Sequence, residues 1–388
     1  MCCQKSDEGD KKPRRVVLVS VGDPRTSRAW SGVPQRLFLE LNRRGCEVLP
    51  LDISSDFWWH WCGVVFNRIF RRVYRPWHRV SFCNTKFGLY LSGRFLRKSL
   101  ANKGLHELIF CTTFSINCAA VETPCVLLHD WTEGYAILRT GSSLNSCELQ
   151  SENNQIGVIK ASQMSIAIYP ESEKYIKGLL GEDYQQKIDY VCNPINADAL
   201  TAEWVKDRLQ KGINSKRILV VGGFWYQRNV ECVIKAADSL GRKDIIVDVI
   251  GRSSAETQPK YCRVNFYGYL DKDDAEQKSL YMTLFKEARC LVNIRKNWGG
   301  GSSVAEAMYD YLPIIVGRYP EIVSMYGEDD SRFGMYCGEE DIHALADKLR
   351  AMLDMDSESY REVCVSAHNL VANDTYERLL TEIFDKCL

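Results

Sequence analysis

The segment Trp298-Gly299-Gly300-Gly301-Ser302-Ser303-Val304-Ala305-Glu306 concentrates residue types that handle a charged ligand. Consecutive glycines let a backbone approach a ligand closely, and a helix opening at the serines turns its free N–H groups on an anion, most naturally a diphosphate. Ser302 or Ser303 can cap that helix or donate to a phosphate oxygen. Glu306, about one turn further on, can take a bidentate bond from a ribose diol. A flexible loop and a capped helix explain the same residues without any ligand. A second loop, Gly222-Gly223-Phe224-Trp225-Tyr226-Gln227-Arg228-Asn229, has the same form. Its Arg228 falls in a first helical turn, where the dipole disfavours a cation. An anion bound there makes better sense of it, with Arg228 as the fixed charge beside a departing diphosphate.

Both loops need a frame that presents them together. Near-continuous apolar runs at 16–21, 47–51, 108–111, 125–128 and 165–168 alternate with helical periodicity, and the rhythm restarts at 217–221, 245–250, 264–267, 290–294 and 314–316. Such strands are buried on both faces by helices. The fold class expected is α/β: two doubly wound, Rossmann-like domains in tandem. The expected division is a polar tail 1–15, a first domain 16–195, a linker 196–215, a second domain 216–370, and a last helix 371–388 able to cross back. Two facing sheets bring their carboxyl ends to one cleft, the usual ligand position.

Composition fits this frame. The chain has 388 residues, 45% hydrophobic and 26% charged, which excludes collagen-like, disordered and disulfide-scaffold classes. Fifty Lys+Arg balance fifty Asp+Glu, against a general nucleic-acid binder. The first 195 residues carry +6 and the remainder −6. Sixteen cysteines are scattered without a CxxC or a histidine pair at zinc spacing. Reduced thiols in the cytoplasm are the simplest expectation. Residues 1–15 are polar with no apolar core of a secretory signal, and no apolar run is long enough to span a bilayer. Asp271-Lys272-Asp273 mimics a metal-binding DxD, but it falls in a run of charge expected on the surface, so no metal site is expected.

One stretch departs from the rhythm. Residues 57–106 contain ten Lys/Arg and a dozen aromatics but no acidic residue. Phe66, Ile69, Phe70, Val73, Tyr74 and Trp77 follow helical spacing, Arg68, Arg71, Arg72, Arg75 and Arg79 occupy other faces, and Pro76 ends or kinks the helix. Either the aromatic face packs on the first sheet with its arginines solvated, or residues 57–100 meet an anionic membrane surface, a lipid-linked glycan or a polyanionic one.

Taken in order, the motifs resemble the GT-B nucleotide-sugar glycosyltransferases, glycosyltransferase family 4 in particular, over almost the whole chain. Trp30-Ser31-Gly32 with Arg43-Arg44-Gly45-Cys46-Glu47-Val48 is similar to the family's opening, and His129-Asp130 to its mid-domain HD. Asn193-Pro194-Ile195-Asn196 resembles the entry to the second domain. Gly222 to Asn229, Asn265 to Leu270, Glu306-Ala307-Met308, Pro313 to Val316 and Pro320-Glu321-Ile322-Val323 resemble its later signatures. The resemblance implies that Glu306 holds the donor ribose, Arg228 meets the diphosphate, and His129 sits beside the transferred sugar. It also implies that Gly32, Gly223, Gly300, Gly301, Ser302 and Ser303 approach phosphate or sugar, with Gly251, Gly268 and Tyr269 flanking the base. Three positions differ from the family pattern: Trp298 replaces the first glutamate of Glu-x7-Glu, Gly223 a basic residue, and Ser31 a glycine. The activity implied is a metal-independent, retaining, hexosyltransferase-type transfer. The donor is a nucleoside-diphosphate sugar, UDP- or GDP-linked, the acceptor a glycan or lipid-linked molecule, and there is no other cofactor. A nucleotide-sugar epimerase or hydrolase, or a non-catalytic GT-B scaffold in which Trp298 ended turnover, would share these residues.

Overall fold

The computed structural model describes residues 14–101, 103–223, 226–295, 301–338 and 341–387. Strands β1 (Arg15–Ser20), β2 (Glu47–Asp52), β3 (Leu108–Cys111), β4 (Cys125–His129), β5 (Met164–Ala167) and β6 (Ile188–Tyr190) form one parallel sheet in the order β2-β1-β3-β4-β5-β6. Alternate side chains feed two cores, with Val17, Val19, Ile109 and Leu127 on one face and Val16, Leu18, Leu108 and Leu128 on the other. Burial on both faces is why these strands read as unbroken apolar runs. The second sheet comprises β7 (Arg217–Val221), β8 (Ile246–Ile250), β9 (Arg263–Gly268), β10 (Cys290–Asn293), β11 (Ile314–Gly317) and β12 (Gly334–Cys337). Its order is β12-β11-β10-β7-β8-β9. The chain is thus two doubly wound parallel α/β domains. Strand order reverses between β1 and β3 and again between β7 and β10, and each reversal opens a crevice beyond the carboxyl ends.

The last helix, Tyr376–Cys387, packs on the first domain. Tyr376, Leu379, Leu380 and Ile383 follow one helical stripe and join the core of Leu37 and Leu41 from the helix Val33–Arg43. The expected linker 196–215 is mostly not a linker. Ala202–Asn214 is a helix of the second domain. Its Leu209 and Ile213 pack on the core of that domain beside a buried guanidinium: Arg208 is fully buried and donates to Tyr360 Oη at 3.0 Å. Arg289, also buried, closes the helix end by donating to the Ile213 carbonyl at 2.5 Å. No helix among the described residues is long and apolar enough to cross a membrane.

A buried carboxylate joins the domains. Glu321, in the helix Pro320–Tyr326, is wholly buried and accepts from Tyr135 Oη at 2.6 Å and Arg139 Nη2 at 2.7 Å, both on the first-domain helix Glu133–Arg139. Truncating one partner strands the other charge in a dry interface. Glu321→Ala is therefore expected to destabilise the protein by about 3–5 kcal/mol, read as a lower thermal midpoint. Retention of the wild-type midpoint would show that the pair is solvated in solution.

Candidate active site between the domains

A cavity of about 440 Å³ lies where the carboxyl ends of the two sheets face each other. The helix Gly301–Tyr309 begins at its wall, so Gly301, Ser302 and Ser303 present the first-turn N–H groups there, and Glu306 follows one turn in, only 5% exposed. Gly301 has to be glycine, because a Cβ there would lie 2.6 Å from Tyr169 Oη and 3.0 Å from Asn193 Nδ2 of the opposing domain. The loops after β7 and β8 press together in the same way: Gly251 adopts φ +98°, and a Cβ on it would meet the Gly222 carbonyl at 2.7 Å.

Across the cavity the chain holds a strained turn. Trp30, Ser31 and Gly32 take φ of 37°, 54° and 84° in succession, left-handed values that side chains other than glycine avoid. Asn196 fixes the turn by donating from Nδ2 to the Ser31 carbonyl while its Oδ1 accepts from Arg36 Nε at 2.8 Å. Trp30 and Ser31 are thereby held in the wall.

Lys272 and Glu306 set the charge of the pocket. Lys272 Nζ lies 2.8 Å from Glu306 Oε2, Tyr281 Oη donates to the same oxygen at 2.7 Å, and the lysine rides 4.3 Å from the Tyr281 ring centre. The flanking carboxylates, expected on an open surface, instead clasp the first domain. Asp271 accepts from Arg28 at 2.8 Å and Ser27 Oγ at 3.2 Å. Asp273 accepts from the Ser27 amide at 2.9 Å and Gln35 Nε2 at 2.7 Å. One turn beyond Glu306, burial and the nearby Glu306 charge push the Asp310 carboxyl up to about 8.

The cavity gathers Gly223, Gly251, Tyr269, Gly301, Ser302, Ser303 and Glu306 from the residues singled out in the sequence. Gly32 closes the turn behind Ser31 and packs on Asn196, and Gly268 precedes Tyr269 without lining the wall. Gly300 and Trp298 lie outside the described residues. Arg228 is exposed on the helix Gln227–Ser239 and is not part of the wall. His129 is buried behind the wall, with Nε2 2.8 Å from Ser165 Oγ and its ring on Phe114, and burial pulls it down to about 4. It is therefore neutral near pH 7 and serves the strand end. Its neighbour Asp130 lines the cavity, its carboxyl raised by burial. Sequence reasoning missed Asp130, though half of the His-Asp pair, as well as Lys272, Tyr169 and Tyr281. It also missed Cys111, Cys118 and Cys125, whose sulfurs lie within 4.8 Å of one another in the first core. Two of those thiols already donate to backbone carbonyls, of Ile116 and Thr123.

Residues 205–368 match the family model of glycosyl transferases group 1. Likeness in structure extends over the full length and shows the fold. The sucrose-phosphate synthase of Thermosynechococcus elongatus superposes with a TM-score of 0.67 at 14% identity, over 96% of this chain and 98% of that one. The fold is that of the GT-B glycosyltransferases. A UDP-forming trehalose-phosphate synthase from Burkholderia xenovorans (TM-score 0.66, 10% identity, 97% and 98% coverage) has the same GT-B architecture. So has Anabaena HepE, solved with UDP and glucose (TM-score 0.57, 12% identity, 95% and 99% coverage). No curated protein is a significant sequence match.

Two predictions follow from this GT-B cleft. Gly301→Ala should push the helix start off Tyr169 and weaken ligand binding at the cavity, and Tyr169→Phe added to it should recover part of the loss, measured by calorimetry. A G301A protein that binds as well as wild type would show that the two domains do not meet there. For Asp310, burial lifts the native pKa to about 8, well above the ordinary carboxylate value. The native state therefore holds a proton that the unfolded chain has lost between those pH values, and stability falls as pH rises through that window. Asp310→Asn should flatten the decline of melting temperature between pH 5 and 8, and an unchanged slope would remove Asp310 as its source.

Proposed function

We propose that this chain transfers a sugar, a hexose, from a UDP- or GDP-linked donor to an acceptor held by the first domain, with retention and without a metal. The carrying observation is the pairing of Glu306 with Lys272 beside the Gly301–Ser303 helix start, facing Trp30, Ser31 and Asp130 across one cavity. The donor diphosphate would rest on the helix N–H groups and the two serine hydroxyls. The ribose diol would take Glu306, and Lys272, released from that carboxylate, would meet the departing phosphate, supplying charge where it develops. Asp271 and Asp273 spend their oxygens on Ser27, Arg28 and Gln35, which supports a metal-free reading of the Asp-Lys-Asp segment. Asp130, on the opposing wall, would orient the acceptor hydroxyl, with His129 as a positioning residue behind it. HepE's complex with UDP and glucose supports the uridine arm. Retention rests on the family resemblance.

The test is a panel of UDP-, GDP-, ADP- and dTDP-sugars without added metal, following melting temperature and nucleotide release together, with the anomer of the product read by NMR. A shift with one donor plus release supports transfer, and a shift without release when acceptors are supplied favours the non-catalytic scaffold. Glu306→Gln should weaken binding of that donor by roughly 1.5–3 kcal/mol, the worth of a charge-assisted bond, or about ten- to a hundredfold in Kd. Unchanged affinity would take Glu306 out of the donor site.

A further inference from the structure

Between β2 and the helix Lys86–Leu100 the chain inserts a helix, Phe57–Val65, a π-helical turn, Phe66–Phe70, and a last short turn, Arg71–Val73. The aromatic stripe does not pack on the sheet as a whole. Phe66 is buried, whereas Trp58, Trp61, Phe70 and Tyr74 are more than half exposed, and Val73 is 79% exposed. Trp58, Trp61, Val65, Phe66, Phe70 and Phe87 shape a groove of about 800 Å³ that is almost wholly hydrocarbon. Open apolar surface of this extent on a soluble chain marks an interaction site.

The charge of the same segment, with Lys86 in the groove wall, points to the partner. Arg68, Arg72, Arg75, Lys86, Arg94, Arg97 and Lys98 are exposed, and among the described residues no carboxylate pairs with them. Residues 57–106 supply no acid to neutralise them. Within the groove wall, Asn84 is 5% exposed and its Oδ1 has no hydrogen-bond partner. A glycan or nucleic acid would satisfy the cations but has no hydrocarbon for the groove, and an apolar protein face would leave the cations unmatched. An anionic bilayer offers both.

We propose that this face docks the protein on an anionic lipid bilayer, with a lipid chain drawn between Trp58, Trp61 and Phe70, the arginines on the headgroups, and a headgroup hydroxyl on Asn84. The insertion follows the carboxyl end of β2, the sheet edge that also faces the cleft. A hydrogen bond ties the groove to the segment that lines the cleft. Ser151, in the groove, donates to Glu133 Oε2 at 2.5 Å, and Glu133 stands two residues beyond Trp131, which lines the cleft. Docking in this pose would bring the cleft beside the headgroups and make a lipid-linked molecule the acceptor, a consequence that rests on the glycosyl-transfer reading. The docking itself does not.

The experiment is flotation of the full chain with phosphatidylcholine vesicles, with and without phosphatidylglycerol, at low and high salt, together with tryptophan quenching by brominated lipid. Wild-type protein should float with the anionic vesicles at low salt and lose binding at high salt, with its tryptophans quenched. Trp58→Ser/Trp61→Ser and Arg68→Glu/Arg72→Glu/Arg75→Glu should each lower the partition at least about tenfold, with melting temperature and donor-induced shift unchanged. Partition of either variant equal to wild type would overturn the proposal. So would flotation indifferent to phosphatidylglycerol, or heparin binding with no quenching by lipid. Because flotation needs no donor sugar, a chain that floats yet releases no nucleotide would refute the transferase reading and leave the docking standing.

Discussion

Everything at the cleft depends on three residues after β9. Asp271 and Asp273 reach outward to Ser27, Arg28 and Gln35 of the first domain, and Lys272 between them reaches inward to Glu306. A tight turn makes this possible: the Asp274 amide donates to the Asp271 carbonyl at 3.1 Å and the Asp273 amide to Asp271 Oδ1 at 3.0 Å, which sends the three side chains in different directions. Apposition of the domains and neutralisation of the pocket carboxylate therefore share one piece of backbone, while the Lys272–Glu306 pair itself lies within the second domain. The Glu321 contact differs in kind. Glu321 is fully buried against Arg139, whereas Arg28 opposite Asp271 has a side chain 75% exposed. Breaking a buried pair costs several kcal/mol and an exposed one about 1 kcal/mol or less. The contacts at 271–273 are therefore the less costly of the two to break.

The electrostatics of the pocket close around this segment. A helix start carries partial positive charge, and Glu306 and Asp310 lie a turn apart on the buried side of the same helix. Two ionised carboxylates there would repel in a poorly solvated site. Burial raises the Asp310 carboxyl to about 8, which avoids that repulsion near neutral pH, and Lys272 pairs with Glu306. On the proposed function, an incoming diphosphate sugar would bring its own negative charge and a diol to compete for Glu306, so ligand binding would exchange partners instead of stranding a charge.

Strands, most helices and the glycine loops were legible because their signals are local: buried parallel strands are continuous apolar runs, and loops after strands sit at carboxyl ends. Features determined by tertiary partners were not. The helix Ser146–Ala161 has no apolar stripe along its length, because its buried residues are polar up to Gln155 (Glu148, Ser151, Glu152 and Gln155, each hydrogen-bonded to another segment) and apolar only at its end, at Ile156, Val158 and Ile159. Only its Asn145–Glu148 capping box was written in the chain. Lys272 was hidden between two aspartates that looked like surface charge, and Asp130 behind a histidine whose chemistry drew the eye. The Phe66–Trp77 period was correctly helical in part, yet spacing alone cannot say whether an aromatic face meets a sheet or solvent.

That same polar helix explains why groove and cleft are neighbours and yet distinct. Toward the insertion, Glu148 takes Arg79 and Asn154 donates to the Asn84 carbonyl. Toward the cleft, Glu152 accepts from Thr132 Oγ1 and the Gly134 amide, and Gln155 from the Glu133 amide. An apolar helix in this place would pack equally well in several small displacements. Hydrogen bonds to specific backbone amides tolerate few, because their energy falls steeply with angle and distance. The segment carrying Asp130 and Trp131 into the cavity is thus indexed to the insertion by directional bonds, and a rigid polar strut, not a continuous pocket, relates the two surfaces.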